Sequence, residues 1–332
     1  MAEQYLSTKK VDPNWDPLAR PHRGFRIFLT VLLLVFFGIV ALGFAAISSF
    51  GHGLGVAIGE SNALPTGLYM ASDNDLVVLQ MSVFPQVSVL DLKTNQFSAG
   101  SPNDFLYPNA LAAAVSPDGT DAYYIDSSGN LVTQSIIWNT RSSLQTKGID
   151  LETVEGMGVT ADYTTAIIAS GNRIYEISLS NGALLAEQNL SLEGSISKFV
   201  FDSNSGLGYL LIREGSTSHV VIISAANWQD ISNIQVPEST SGVVPIPAEN
   251  ELVTYSTDGR SLSLVNASTG LVIKSAEVPY RISAMAGDGQ NLYIVSPEIG
   301  QSNLLFYKAN TATLLFSQLG SYADNGTGVS FG

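Results

Sequence analysis

Three histidines, His22, His52 and His219, supply every imidazole in the chain, and its 332 residues include no cysteine. A zinc site or a Ser-His-Asp triad in the C-terminal region would rest on His219 alone, short of the three protein ligands a catalytic zinc needs. Without thiols there is no thiolate nucleophile, iron–sulfur ligation, thioether-bound haem or disulfide. The sequence has no HExxH, no GxSxG and no glycine-rich phosphate loop followed by Lys-Ser or Lys-Thr. Carboxylates of "SDND" at 72–75 would suit Ca²⁺ in kind, but the stretch reads first as a turn. Asp118, Asp162 and Asp288 each stand four residues before an apolar run, where Asp and Gly supply the side-chain bonding a tight turn requires. The expectation is therefore no catalytic cluster, no cofactor and no metal. The residues that invite a partner are the tryptophans Trp15, Trp138 and Trp228, since a large aromatic with one polar edge is a common anchor of protein contacts. For Trp138 and Trp228 the alternative is cover for the edge of a sheet.

The elements that hold these residues recur. The second strand of a hairpin begins at Leu76, Ala122, Ala166, Gly208, Leu252 and Leu292, with intervals of 46, 44, 42, 44 and 40 residues. A small apolar strand precedes each, as in "LAAAVS" and "GMGVTA", and third and fourth strands follow, as in "SLSLVNASTG" and "LVIKSAEV". Four short strands at a period near 43 residues is the mark of propeller blades, small twisted sheets that bury their faces only against the next blade. The fold class predicted is all-β: a six-bladed β-propeller over 64–332, with seven blades as the alternative, preceded by one transmembrane α-helix. Small residues in the first strands, Ala113, Gly158 and Ala284 among them, are expected to line the central channel. One terminus is expected to lend a strand to the blade begun by the other. The pattern "SPDG…AYYID", with "VSVLDLKTN" and "VNASTG" after third strands, resembles the YVTN and quinoprotein-like repeat propellers over about residues 64–332. That resemblance implies the fold. In quinoprotein blades a Trp follows the third-strand turn, and "NASTGLVIKSAEV" and "LSNGALLAEQ" have none there, which argues against a pyrroloquinoline quinone enzyme.

Ahead of the repeats, "IFLTVLLLVFFGIVALGFAAI", Ile27–Ile47, runs 21 residues without a charge or proline, enough to span a bilayer core of roughly 30 Å. Arg20, His22, Arg23 and Arg26 precede it and no basic residue follows before Lys93, so the positive-inside rule puts the N-terminus in the cytoplasm and the rest outside. A cleaved signal peptide is the alternative. The domains expected are a cytoplasmic tail 1–26, a transmembrane helix 27–48, a glycine-rich hinge 49–63 and an ectodomain 64–332. Residues 1–50 hold 5 basic and 3 acidic residues; the remainder holds 10 and 26, a net −16 that repels nucleic acid and anionic lipid and suits a basic partner. Three sequons, at Asn189, Asn266 and Asn325, are compatible with an outside location.

The function expected from these features is a single-pass, membrane-anchored propeller, periplasmic or extracellular, that binds proteins as an accessory subunit of a membrane or envelope complex. The bilayer contact is Ile27–Ile47. Two alternatives stand beside it: a propeller enzyme, quinoprotein dehydrogenase-like or lyase/hydrolase-like, and a glycan-binding adhesin.

Overall fold

Runs such as "DAYYID" (121–126) and "TAIIAS" (165–170) are apolar on both faces of an extended strand, so they demand cover on both sides. The computed structural model supplies it by setting sheets face to face around a ring. It describes residues 67–323 except 71–74, 81–85, 95, 100–109, 137, 139, 152, 257–259, 280 and 298–302. The chain separates into two units, Met1–Ala57 and Ile58–Gly332, and the described residues belong to the second.

All regular structure there is strand, apart from one 3₁₀ turn at Pro247–Glu249. Blade 1 is β1 (Gly67–Met70), β2 (Asp75–Gln80), β3 (Gln86–Asp91) and β4 (Gln96–Ala99). Blade 2 is β5 (Ala110–Val115), β6 (Asp121–Asp126), β7 (Asn130–Ser135) and β8 (Arg141–Gln145). Blade 3 is β9 (Val154–Val159), β10 (Thr165–Ser170), β11 (Arg173–Ser178) and β12 (Leu184–Asn189). Blade 4 is β13 (Ser195–Asp202), β14 (Leu207–Glu214), β15 (Thr217–Ser224) and β16 (Asp230–Val236). Blade 5 is β17 (Gly242–Ile246), β18 (Glu251–Tyr255), β19 (Ser261–Asn266) and β20 (Val272–Glu277). Blade 6 is β21 (Ala284–Gly287), β22 (Asn291–Pro297), β23 (Asn303–Asn310) and β24 (Phe316–Ala323). Each sheet joins four consecutive strands in sequence order, all antiparallel. Side chains are described along most of blades 2–6; in blade 1 they are described at 68–70 and 89–94.

The first strands touch in the order β1, β5, β9, β13, β17, β21, and β21 returns to β1, which closes a β-propeller. The core accordingly lies between blades. Alternate residues of one strand serve opposite seams: Ala166 and Ile168 of β10 pack with Ala112 and Tyr123 of blade 2, while Ile167 and Ala169 pack with Phe199 and Leu210 of blade 4. The last seam joins Ala284, Tyr293 and Phe306 of blade 6 to Leu68 and Leu90 of blade 1. Fourth strands cover one face only and turn polar, as in "LLAEQN".

Three expectations meet the structure differently. No seventh sheet occurs among the described residues. Among the described residues β24 and β1 each pair within their own contiguous sheets and packing joins the two blades, while the segments expected to lend a strand across the termini, 59–66 and 324–332, lie outside the described residues. The small first-strand residues turn their side positions to neighbouring blades instead of lining the channel. A Cβ on Gly156 would stand 2.2 Å from the Phe199 carbonyl oxygen, and one on Gly158 would stand 2.3 Å from Phe201 Cβ. Inner strands converge, so backbone must approach backbone, and only Gly or Ala leaves room. Ala113 packs toward blade 1 and Ala284 also lies on the blade 1 seam.

Among the described residues no helix is long and apolar enough to cross a membrane. The expected tail, span Ile27–Ile47, hinge and Trp15 lie outside them.

Candidate functional site

Four antiparallel strands per blade bring two of their turns, first-to-second and third-to-fourth, to one side of the ring. In the first set of turns the expected aspartates serve the backbone. Asp118 Oδ1 accepts from Ser116 Oγ at 2.6 Å and from Thr120 N at 3.1 Å; Asp162 Oδ1 accepts from Thr160 Oγ1 at 2.6 Å and Thr164 N at 3.2 Å. Asp202 and Asp288 do the same in blades 4 and 6, where Asp288 takes Gln290 N at 2.8 Å, Asn291 N at 2.6 Å and Tyr293 Oη at 3.0 Å. These are Asx turns, in which the side chain replaces a backbone acceptor.

Electrostatics follows from those contacts. Partial burial pushes the Asp118 and Asp288 carboxyls up, but the donated hydrogen bonds outweigh it and hold both below the ordinary range. Asp162 is held low by Thr160 and Thr164. The second-strand tyrosines beside these turns move the other way: burial, with Asp121 and Asp118 nearby, lifts Tyr123 to about 12, and burial with Asp202 lifts Tyr209 to about 12. Two carboxyls are raised, chiefly by burial, Asp121 in a blade 2 turn and Glu155 on β9. They come from different blades and opposite ends of their sheets, so they form no acid–base pair.

The second set of turns places the tryptophans. In blades 3–6 the chain makes an i to i+4 turn: Gly182 N, Trp228 N, Gly270 N and Leu314 N donate to Ser178, Ser224, Asn266 and Asn310 carbonyls at 2.6–2.9 Å. The closing residue is left-handed each time, with φ of 71°, 56°, 72° and 52°. Gly meets this demand freely; Trp228 and Leu314 do so with side chains driven into the interior. Trp228 is 9% exposed, packs with Ile167 and Ile174 of blade 3, and its Nε1 donates to Glu176 Oε1 at 2.6 Å. It is an interblade staple, whereas the sequence reading offers a partner anchor or cover for a blade edge, and its buried ring offers no docking surface. Trp138, in the β7–β8 turn, is 79% exposed.

Sequence reasoning missed the exposed aliphatic side chains at the turns equivalent to that of Trp138. Leu185, Ile231, Leu271, Val272, Ile273 and Leu315 are all at least half exposed, and all lie in or just after third-to-fourth turns of blades 3–6. Leu185, Ile231 and Ile273 are moreover the extra residue of a β-bulge in the fourth strand, which turns an aliphatic side chain outward. The repeat alignment could have found them, since they share one position per blade. On the same side a cleft of about 190 Å³ opens between blades 4 and 5, walled by Leu207, Tyr209, Ile222 and Ile231 and bordered by Asn250 and Glu251.

Inside the ring, Tyr69 Oη of blade 1 donates to the Ala113 carbonyl at 2.6 Å; burial raises its pKa and the Tyr255 phenol of blade 5 adds to the shift. The Tyr255 ring lies where a Cβ on Gly242 would be, and burial lifts its phenol to about 12. Lys198, on β13, is half-buried and its pKa is lowered by desolvation. Among the described residues no group of three or more His, Asp or Glu is placed to hold a metal ion.

No protein-family model and no curated protein matches the chain. Among solved structures it is similar to Kuenenia stuttgartiensis Hydrazine Synthase, with a TM-score of 0.52 at 15% identity over 75% of this chain and 81% of that chain. Matching solved chains number 1695, and a likeness at 15% identity marks the fold and assigns no activity. What the likeness to that structure supports is the β-propeller fold.

Proposed function

We propose that the protein is a membrane-anchored propeller that binds other proteins as an accessory subunit of a membrane or envelope complex. The apolar span Ile27–Ile47 would hold it in the bilayer, with the basic flank inside and the propeller outside. The observation that carries the binding role is the concentration of exposed Trp138 and six aliphatic side chains at equivalent turns of successive blades. Scattered surface hydrophobics are ordinary, whereas a set confined to one side and repeated with the fold marks a contact surface. Asp118, Asp162 and Asp288 near the channel mouth are tied up in turn hydrogen bonds and held low, which suits standing negative charge better than proton transfer at those three groups.

Two measurements test this. Protease added to intact cells or spheroplasts should remove the region after residue 60 and spare the N-terminal tail; digestion of the tail alone would reverse the orientation. The protein taken from native membrane in mild detergent should co-elute with a partner in fixed stoichiometry. A solitary propeller that turns over a small molecule would refute the accessory role.

A further inference from the structure

The first-to-second turns of blades 2–6, residues 116–121, 160–165, 202–207, 247–251 and 287–291, contain seven carboxylates and no Lys, Arg or His. These turns leave the innermost strands, so they ring the channel mouth. The third-to-fourth turns lie farther out on the same side and carry the aliphatic set with Trp138. Basic residues on this side, Lys93, Arg141, Lys274 and Lys308 among them, belong to the third and fourth strands and their turns; Lys274 Nζ donates to the Ala312 carbonyl and Lys308 lies over the Tyr293 ring. The cleft between blades 4 and 5 joins the two rings: Leu207, Ile222 and Ile231 give it apolar walls, and Glu251 puts a carboxylate at its border.

We propose that this face docks a protein whose surface sets Lys or Arg side chains over the channel mouth inside an apolar collar, and that the cleft takes one such side chain with its cationic head on Glu251. The proposal rests on the protein-binding reading above. A long basic side chain is an aliphatic stem with a charged tip, and the cleft offers walls for the stem and a carboxylate for the tip. Charge selects the occupant. A second copy would press like carboxylates together, and an anionic bilayer would be repelled. The turn hydrogen bonds hold Asp118, Asp162 and Asp288 low and keep these three members of the ring ionised into acid.

The probe is a short fluorescein-labelled Lys/Ala peptide, with a Glu/Ala peptide beside it, titrated with the full chain in uncharged detergent micelles. The Lys/Ala peptide should bind, weaken as salt rises and lose about tenfold or more in affinity to the double variant Glu251→Gln/Ile231→Ser. Glu214→Gln/Glu238→Gln, on the opposite face, should leave affinity unchanged. Equal loss from both pairs, retention by the first pair, or self-association that depends on Glu251 would overturn the proposal. In native membranes Glu249→Lys/Glu251→Lys should release the co-eluting partner while the melting temperature stays near wild type. If this variant keeps the partner, the face is wrong and the binding role stands; if wild type recovers none, the binding role itself fails.

Discussion

Replacing Trp228 tests the staple between blades 3 and 4. The side chain is almost fully buried, so truncation to Ala forfeits its burial and leaves a cavity, about 3–5 kcal/mol for a core Trp. It also removes the donor to Glu176 Oε1, and the total should be about 4 kcal/mol or more. At about 2 °C per kcal/mol for a domain of this size, the melting temperature should fall by about 8 °C. The backbone makes a sharper prediction. Trp228 has φ 56°, in the left-handed region that Gly182 and Gly270 occupy at 71° and 72° in equivalent turns of blades 3 and 5. Ala keeps the left-handed strain and Gly relieves it, so Trp228→Gly should be more stable than Trp228→Ala by about 1 kcal/mol although it removes more side chain. Trp228→Phe keeps most of the packing and loses the indole N–H, so it should cost about 1.5–3 kcal/mol. Thermal and urea unfolding followed by circular dichroism measures all three. A cost below about 1 kcal/mol for the Ala variant, or a Gly variant no better than Ala, would refute the reasoning.

Gly156→Ala should cost about 4 kcal/mol or more, or prevent folding, because its Cβ would lie against the Phe199 carbonyl; Gly206→Ala has open space but φ 66° and should cost about 1 kcal/mol, both read from urea melts. Tyr123, Tyr209 and Tyr255 have folded pKa values raised from 10.0 to about 12, so their contribution is full below pH 10 and lost as pH rises toward 12; stability should drop across that window, with phenolate absorbance lagging that of free tyrosine. Asp118, Asp162 and Asp288 have depressed values, so their contribution is present above the ordinary carboxylate pKa and is lost as pH falls through the lowered ones; Asp288→Asn should flatten the acid limb of a stability profile. Trp138→Ala should leave the melting temperature within about 1 °C of wild type, being a surface change, and should abolish the acrylamide-quenchable part of the emission from described tryptophans.

Much of the architecture is legible because it is local and repeated. Second strands expected from Leu76, Ala122, Ala166, Gly208, Leu252 and Leu292 each begin one residue earlier, and the turn aspartates do the turn chemistry their spacing implies. What escaped the sequence depends on neighbours far along the chain. Trp228 is buried because Glu176, 52 residues upstream, receives its indole from the adjoining blade. Gly156 and Gly158 are small because Phe199 and Phe201 of the next blade press on them, a demand that reads from sequence only as a preference for narrow residues near the axis. The aliphatic set was hidden for a different reason. In an apolar pattern Leu271, Val272 and Ile273 look like core; the bulge that offsets β20 from β19 turns Ile273 outward, and all three are at least half exposed.

Among the described residues each blade is one unbroken stretch of about 43 residues and packing joins the last seam, which has a consequence for how the molecule can change. In a ring latched by a strand from the far end, gain or loss of a repeat must preserve the latch. Here duplication or deletion of one stretch leaves every other sheet's hydrogen bonding intact and asks the ring only to adjust its angles and side-chain contacts. The unit of inheritance is thus the same as the unit of hydrogen bonding. Such a chain can be cut and rejoined at any interblade connection, and its ends can be moved to a different seam, without dividing a sheet. A circular permutant opened between Asn189 and Ser195, beyond the last ladder pair of blade 3, would carry the same sheets in a new order.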